Sequence, residues 1–264
     1  MGLRQLTQNT FSALAMHTDR LFVEWVIKGQ APGRPQRPRP SEAEALAFIE
    51  AIEQMSDVYA AEEMSDAVLF PEPAVPSEIV EGSGPLWRAA EHITWRSGYE
   101  VLHRPLREEY ETEANRTVHV HKFGGGGRRA IVCVHGYMGG HIEVESRLWP
   151  VRQFLERGFD VFFITLPHHG PRMQERFGKP LFPENARYTV EGMCQSVFDV
   201  RTLVSVLRAR GYEHVGLVGM SLGGYVVSLC LGVEERIAFG VPLIPLTSFA
   251  QMSQDFEALV GEDA

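Results

Sequence analysis

Hydrophobic and polar positions divide the chain near residue 92. Before it, Leu3, Leu6, Phe11, Leu14, Leu21, Phe22 and Trp25 recur near intervals of three, four and seven, which predicts an amphipathic helix over residues 3–27. Its polar face is poor in Lys and Arg, so packing against a core is expected rather than adsorption to a membrane surface. Pro32, Pro35, Pro38 and Pro40 then alternate with Arg34, Arg37 and Arg39, and this density of proline predicts an extended linker over 28–40. Ser41 and Glu44 make a capping box ahead of a second apolar stripe, Ala45, Leu46, Phe48, Ile49, Ile52 and Met55. Pro71, Pro73 and Pro76 punctuate again, so residues 1–91 read as an N-terminal helical extension.

From Ile93 the pattern changes to strands alternating with helices. Ile93–Val101 and Arg116–Phe123 are expected to form an antiparallel pair, and Gly124–Gly127 a hairpin turn into the strand Arg129–Val134. A helix Glu145–Arg157, a strand Asp160–Leu166, a loop over 173–188 and a helix Thr189–Arg210 follow. An apolar run from Val215, a helix from Leu222 to Gly232 and a strand Ile237–Leu243 complete the series. Apolar strands separated by helices predict an α/β domain over 92–264, built on a mostly parallel sheet with helices on both faces.

Two junctions carry candidate chemistry. Gly219-Met220-Ser221-Leu222-Gly223 sits between a predicted strand and a predicted helix, the context of a G-x-S-x-G turn with a serine nucleophile at its apex. Such a turn strains the serine backbone and leaves no room for a Cβ at the flanking glycines. The strand Arg129–Val134 runs directly into His135-Gly136-Tyr137-Met138-Gly139-Gly140. With both motifs in this order, residues 92–250 resemble the α/β-hydrolase superfamily of serine esterases and lipases. The resemblance implies Ser221 as nucleophile and an oxyanion hole made by the backbone N–H groups of Leu222 and of Tyr137 or Met138. Position in the fold adds Met138, His168, His169, Arg172 and Met220 as candidate substrate contacts, since Pro167–Arg172 follows a strand end. Arg172 is expected to offer its guanidinium to an anionic substrate group. His119 and His121 alternate onto one strand face and are expected to face solvent as a pair. The four-glycine run lacks the Lys-Ser/Thr ending of a phosphate loop.

Composition narrows the classes. With 25 basic and 34 acidic residues the net charge is −9, which argues against nucleic-acid binding. Cys133, Cys194 and Cys230 have no metal-ligand spacing and are expected as buried free thiols in a reducing cytoplasm. Neither a secretory signal nor a membrane span is evident.

The family pattern places an acid and a histidine after the nucleophile, yet no histidine follows His214. After Ile237–Leu243 too little chain remains for another strand–helix–strand unit of ~30 residues. The expectation is therefore a C-terminally truncated member, with C-terminal strands missing and the general base beyond Ala264. Asp255, Glu257, Glu262 and Asp263 sit in no strand-end context, and His168 or His169 is the alternative base. The resemblance implies a serine hydrolase acting on a small-molecule or lipid ester, without cofactor or metal. The rival readings are a non-catalytic or inactive protein, and related acyl chemistry such as perhydrolysis or peptide cleavage on the same scaffold.

Overall fold

The computed structural model describes residues 41–84, 91–173, 186–249 and 251. The chain divides into two compact units, Met1–Glu53 and Gln54–Ala264. The helix expected over 3–27, the linker over 28–40 and most of the 173–188 loop lie outside the described residues.

Helix α1 (Glu42–Ala60) begins directly after Ser41, as the capping pattern predicts. Along its apolar stripe, Leu46 and Ile49 are exposed while Met55 is buried. Short helices α2 (Asp66–Leu69), α3 (Arg107–Tyr110) and α4 (Glu113–Arg116) follow. Seven strands then form one sheet: β1 (Val80–Ser83), β2 (Glu91–Arg96), β3 (Thr117–Phe123), β4 (Arg129–Val134), β5 (Asp160–Ile164), β6 (His214–Met220) and β7 (Ile237–Leu243). Their order across the sheet is β1-β2-β3-β5-β4-β6-β7. β5, β4, β6 and β7 run parallel, while β1, β2 and β3 are joined antiparallel at one side. Strand β1 lies within the stretch read as a helical extension, and it pairs with β2 through Val80 and Thr94. Among the described residues no helix is long and apolar enough to cross a membrane.

The two faces of the sheet are covered by different helices. Ala130, Val132 and Val134 of β4 and Phe162 and Ile164 of β5 point into one core with α7 (Ala186–Ala209) and α8 (Leu222–Val233). Ile131, Cys133, Val161 and Phe163 point into a second core with α5 (Ile142–Leu148) and α6 (Val151–Glu156). A strand buried on both faces cannot alternate with polar residues, which is why β4 and β5 read as continuous apolar runs. The helix expected over 145–157 is two helices, because Pro150 has no N–H to continue the ladder across Trp149. The predicted strands 93–101 and 160–166 both stop earlier, at Arg96 and Ile164.

The glycine run is not a hairpin. β5 lies between β3 and β4, so Gly124–Gly127 carries the chain past an intervening strand. Its glycines wrap a buried carboxylate: Gly126 and Gly127 N–H each donate to Asp160 Oδ2 at 3.1 Å, and the Tyr212 hydroxyl donates to the same oxygen at 2.6 Å. At Gly124 (φ +129°) a Cβ would stand 2.1 Å from Asp160 Oδ1, so no side chain fits there. A second buried carboxylate, Glu191 on α7, accepts from the hydroxyls of Tyr59 and Tyr99 and the N–H groups of Leu102 and His103. It ties the end of α1 and the chain after β2 to the main helix.

His119 and His121 share a face as expected, but they are half-buried rather than solvent-facing. His92 of β2 lies between them in space. Its Nε2 is 3.0 Å from His119 Nδ1, and its ring stacks on His121 with centroids 4.4 Å apart. The carbon-rich surroundings disfavour charge, and a second imidazolium alongside would add repulsion, so both His119 and His121 are pulled down to about 4. In the unfolded chain a histidine titrates near 6.5. Between about 4 and 6.5 the unfolded chain binds more protons, so stability rises with pH across that window and is fully present above it. Urea unfolding at pH 5.0 and 7.5 should therefore show a lower midpoint at pH 5.0. The difference should shrink in His119→Gln.

Candidate active site

β4 is the point where the chain reverses its direction of build-out, with β5 added on one side and β6 on the other. In open α/β sheets a crevice forms at the carboxyl ends of the strands flanking such a point. Val134 at the end of β4 is in register with Ile164 of β5 and Gly219 of β6. The His135–Gly140 loop, the Thr165–Met173 segment and the turn at Ser221 therefore leave the sheet side by side.

Ser221 stands between β6 and α8 with φ 54° and ψ −114°, a conformation that costs a non-glycine residue about 1–3 kcal/mol. Three backbone hydrogen bonds hold it there. Ser221 N–H donates to Leu243 O at 2.9 Å, while Tyr225 N–H (3.0 Å) and Leu246 N–H (3.3 Å) donate to Ser221 O. The glycines around it make the close approach possible. A Cβ at Gly219 would lie 2.2 Å from Gly223 O, and one at Gly223 would lie 2.2 Å from Val134 O. The Ser221 side chain is half-exposed, and among the described residues its hydrogen bonds are all through its backbone. Leu222 is the first residue of α8, so its N–H is one of those that an α-helix leaves without an intrahelical acceptor.

The neighbouring loop folds back on itself. Gly139 N–H donates to Gly136 O at 3.0 Å, closing a four-residue turn in which Met138 takes φ 63° and is 49% exposed. A Cβ at Gly136 would lie 3.6 Å from Ser221 Cβ, which fixes how near the loop comes to the serine. Buried Glu145 clamps the far end, accepting Gly140 N–H at 3.1 Å and Trp149 Nε1–H at 2.9 Å. Tyr137, within this turn, and Met220, next to Gly136, are half-buried.

The third segment differs from its expected role. Arg172 is completely buried and does not reach the mouth. Its guanidinium donates to Asn115 O and Thr165 O, both at 3.0 Å, and lies 2.9 Å from Asp199 Oδ2. Every arm is engaged, so it has none to offer a substrate anion. His168 (φ 58°) is also buried: its ring packs on Tyr110 and Tyr188, and its Nε2 lies 3.3 Å from Asn115 Nδ2. His169 is buried against His135 and Tyr137, with Nδ1 2.8 Å from Pro167 O. Burial and the nearby His135 hold its imidazole down to about 3. Among the described residues no cluster of three or more His, Cys, Asp or Glu is arranged to hold a metal ion. All three cysteines are buried free thiols.

Sequence reasoning overlooked Asn115, Asp199 and Glu145, the polar residues that hold these loops. Asp199 had a visible signal, a carboxylate eight residues after Glu191 and so on the same helix face, with Gln195 between them. Asn115 carried none.

Two outcomes follow from this geometry. Gly223→Val should lower the thermal midpoint sharply and abolish soluble folded protein at 37 °C, because its Cβ meets backbone carbonyls that cannot retreat. An unshifted circular dichroism melt would contradict that. Arg172→Met leaves Asp199 as an uncompensated buried carboxylate and should cost about 3–5 kcal/mol in urea unfolding. A loss below about 1 kcal/mol would return Arg172 to the surface role expected from sequence.

Residues 131–262 match the sequence model of the alpha/beta hydrolase family. Uncharacterized proteins from two strains of Mycobacterium tuberculosis are each 35% identical over 127 residues, and this alignment covers 46% of the chain. It spans only 30% of the length of those relatives. Among solved structures, an acetyl xylan esterase from Paenibacillus sp. R4 superposes with a TM-score of 0.48 at 13% identity, covering 84% of this chain and 65% of that one. A cold-adapted esterase from an Arctic intertidal metagenomic library gives 0.42 at 18% identity, covering 64% of each chain. With the strand order, the two glycine-lined turns and this match over half its length, the chain belongs to the alpha/beta hydrolase family.

Proposed function

We propose that the protein is a serine hydrolase that cleaves a carboxylic ester or related acyl bond of a small-molecule or lipid substrate. The observation that carries this reading is the backbone of Ser221, held at φ 54° and ψ −114° at the junction of β6 and α8. A residue kept in a costly conformation by three hydrogen bonds and two close glycine contacts is over-determined, and such strain gathers at reacting groups.

In the reaction, Ser221 Oγ bonds to the acyl carbon while its proton passes to a general base. The carbonyl oxygen becomes an oxyanion, and the N–H groups of Leu222 and Tyr137 stabilise it, with Met138 N–H the alternative to Tyr137. Collapse expels the alkoxide, which takes the proton, and water then releases the acyl group from Ser221 by the same steps. His168 and His169 are poor candidates for the base, since the ring of one is wedged between tyrosines and that of the other is packed under the Gly136 turn. The second reading, a family member that does not turn over, draws on the absence of a histidine bonded to the Ser221 hydroxyl among the described residues.

Hydrolysis of p-nitrophenyl acetate and butyrate by the full-length protein separates them. The hydrolase reading predicts saturable turnover that Ser221→Ala reduces by about 10⁴-fold or more, as loss of a triad nucleophile does. Turnover that survives the substitution, or none in the wild type, would reject it.

A further inference from the structure

His135 is fully enclosed, and both of its ring nitrogens face a backbone partner. Leu166 N–H points at Nε2 from 3.0 Å, and an N–H can only donate, so Nε2 is the accepting nitrogen. The ring proton of a neutral imidazole is then on Nδ1, which donates to Gly136 O at 2.8 Å. The two contacts agree on a single tautomer. Burial holds the ring neutral by pulling it down to about 4, so this arrangement persists through the neutral range.

The bond matters because of what Gly136 O is attached to. Its carbonyl belongs to the Gly136–Tyr137 peptide, and in a planar trans peptide the carbonyl and the following N–H point in opposite directions. Gly136 O takes two donors, His135 Nδ1–H and Gly139 N–H at 3.0 Å. Fixing the carbonyl from that side fixes the Tyr137 N–H on the other. The loop is braced from below as well. His169 packs its ring 5.0 Å from His135 and 5.9 Å from Tyr137, and Gly140 is so confined that a Cβ would sit 2.9 Å from His135 Nε2.

We propose that His135 is a positioning residue: as the Nδ1–H tautomer it clamps the Gly136 carbonyl and thereby aims the Tyr137 N–H at the oxyanion formed on Ser221. This rests on the reading of Ser221 and Tyr137 given above. His135 itself touches neither substrate nor the reacting atoms. It is anchored to the chain after β5 through Leu166, so the two loops that flank the serine are held to one another by a single ring.

Two amides separate the two nitrogens. The side chain of His135→Asn reaches the Nδ1 position and can still donate to Gly136 O, whereas that of His135→Gln extends toward the Nε2 position and serves Leu166 instead. The test is the rate at which a fluorophosphonate labels Ser221 in the full-length protein, with circular dichroism melts confirming that both variants fold. Losing one oxyanion donor costs about 10²–10³-fold. His135→Gln should therefore label about 10²-fold more slowly, while His135→Asn stays within about threefold of wild type. Imidazole ¹⁵N spectra of the wild type should show the Nδ1–H tautomer from pH 5 to 8. Equal slowing in both variants, wild-type rates in His135→Gln, or an Nε2–H tautomer would overturn the positioning role while leaving Ser221 as nucleophile. A wild type that does not label at all would instead overturn the Ser221 reading beneath it, and the role of His135 with it.

Discussion

The structure depends on a backbone contact between two turns. Gly223, in the first turn of α8, lies so close to the end of β4 that a Cβ there would be 2.2 Å from Val134 O and 2.5 Å from His135 O. That contact permits β6 to bend sharply into α8, and the bend puts Ser221 into its left-handed conformation. It also sets the distance from the serine to the Gly136 turn, because both leave neighbouring parallel strands in register. Glycine spacing thus converts strand order into the geometry of a reacting centre. The strain is offset by packing, since Leu222, Val226, Val227 and Cys230 of α8 are all buried in the larger core.

Polar groups inside the fold act mainly on loops. Glu145 holds the end of the His135–Gly140 loop, His135 its first peptide, and the Arg172–Asp199 pair the chain after β5. Each is buried, and each satisfies backbone groups that would otherwise be stranded away from water. A buried ion pair such as Arg172–Asp199 adds little net stability compared with an apolar filling, but removing one partner is costly. The effect of these polar groups is to hold three segments, each without a regular hydrogen-bond ladder, in one arrangement around the serine. The far edge of the sheet contrasts with this, as Phe239, Val241, Leu243 and Ile244 present apolar surface that is 38–78% exposed.

Much of this was legible from sequence where a single physical rule decides. Both-face burial gives β4 and β5 unbroken apolar runs, and the need for space gives the Ser221 turn its glycines. Strand order was not legible for Gly124–Gly127, because a glycine run looks the same whether it closes a hairpin or passes an intervening strand. Arg172 misled for a related reason. A guanidinium after a strand end points to solvent or to the core depending on whether an acceptor waits inside, and two of the three acceptors, Asn115 O and Asp199, lie far away in sequence. Local spacing showed that His119 and His121 share a face, but not that His92 would stack there and shield them from water.

The central claim is that the strained serine is the reacting group. Intact-mass analysis of the full-length protein after exposure to a fluorophosphonate, followed by peptide mapping, tests it most directly. The account predicts one adduct per chain, on Ser221, and none in Ser221→Ala. An adduct on any other residue, or an unmodified chain, would contradict it.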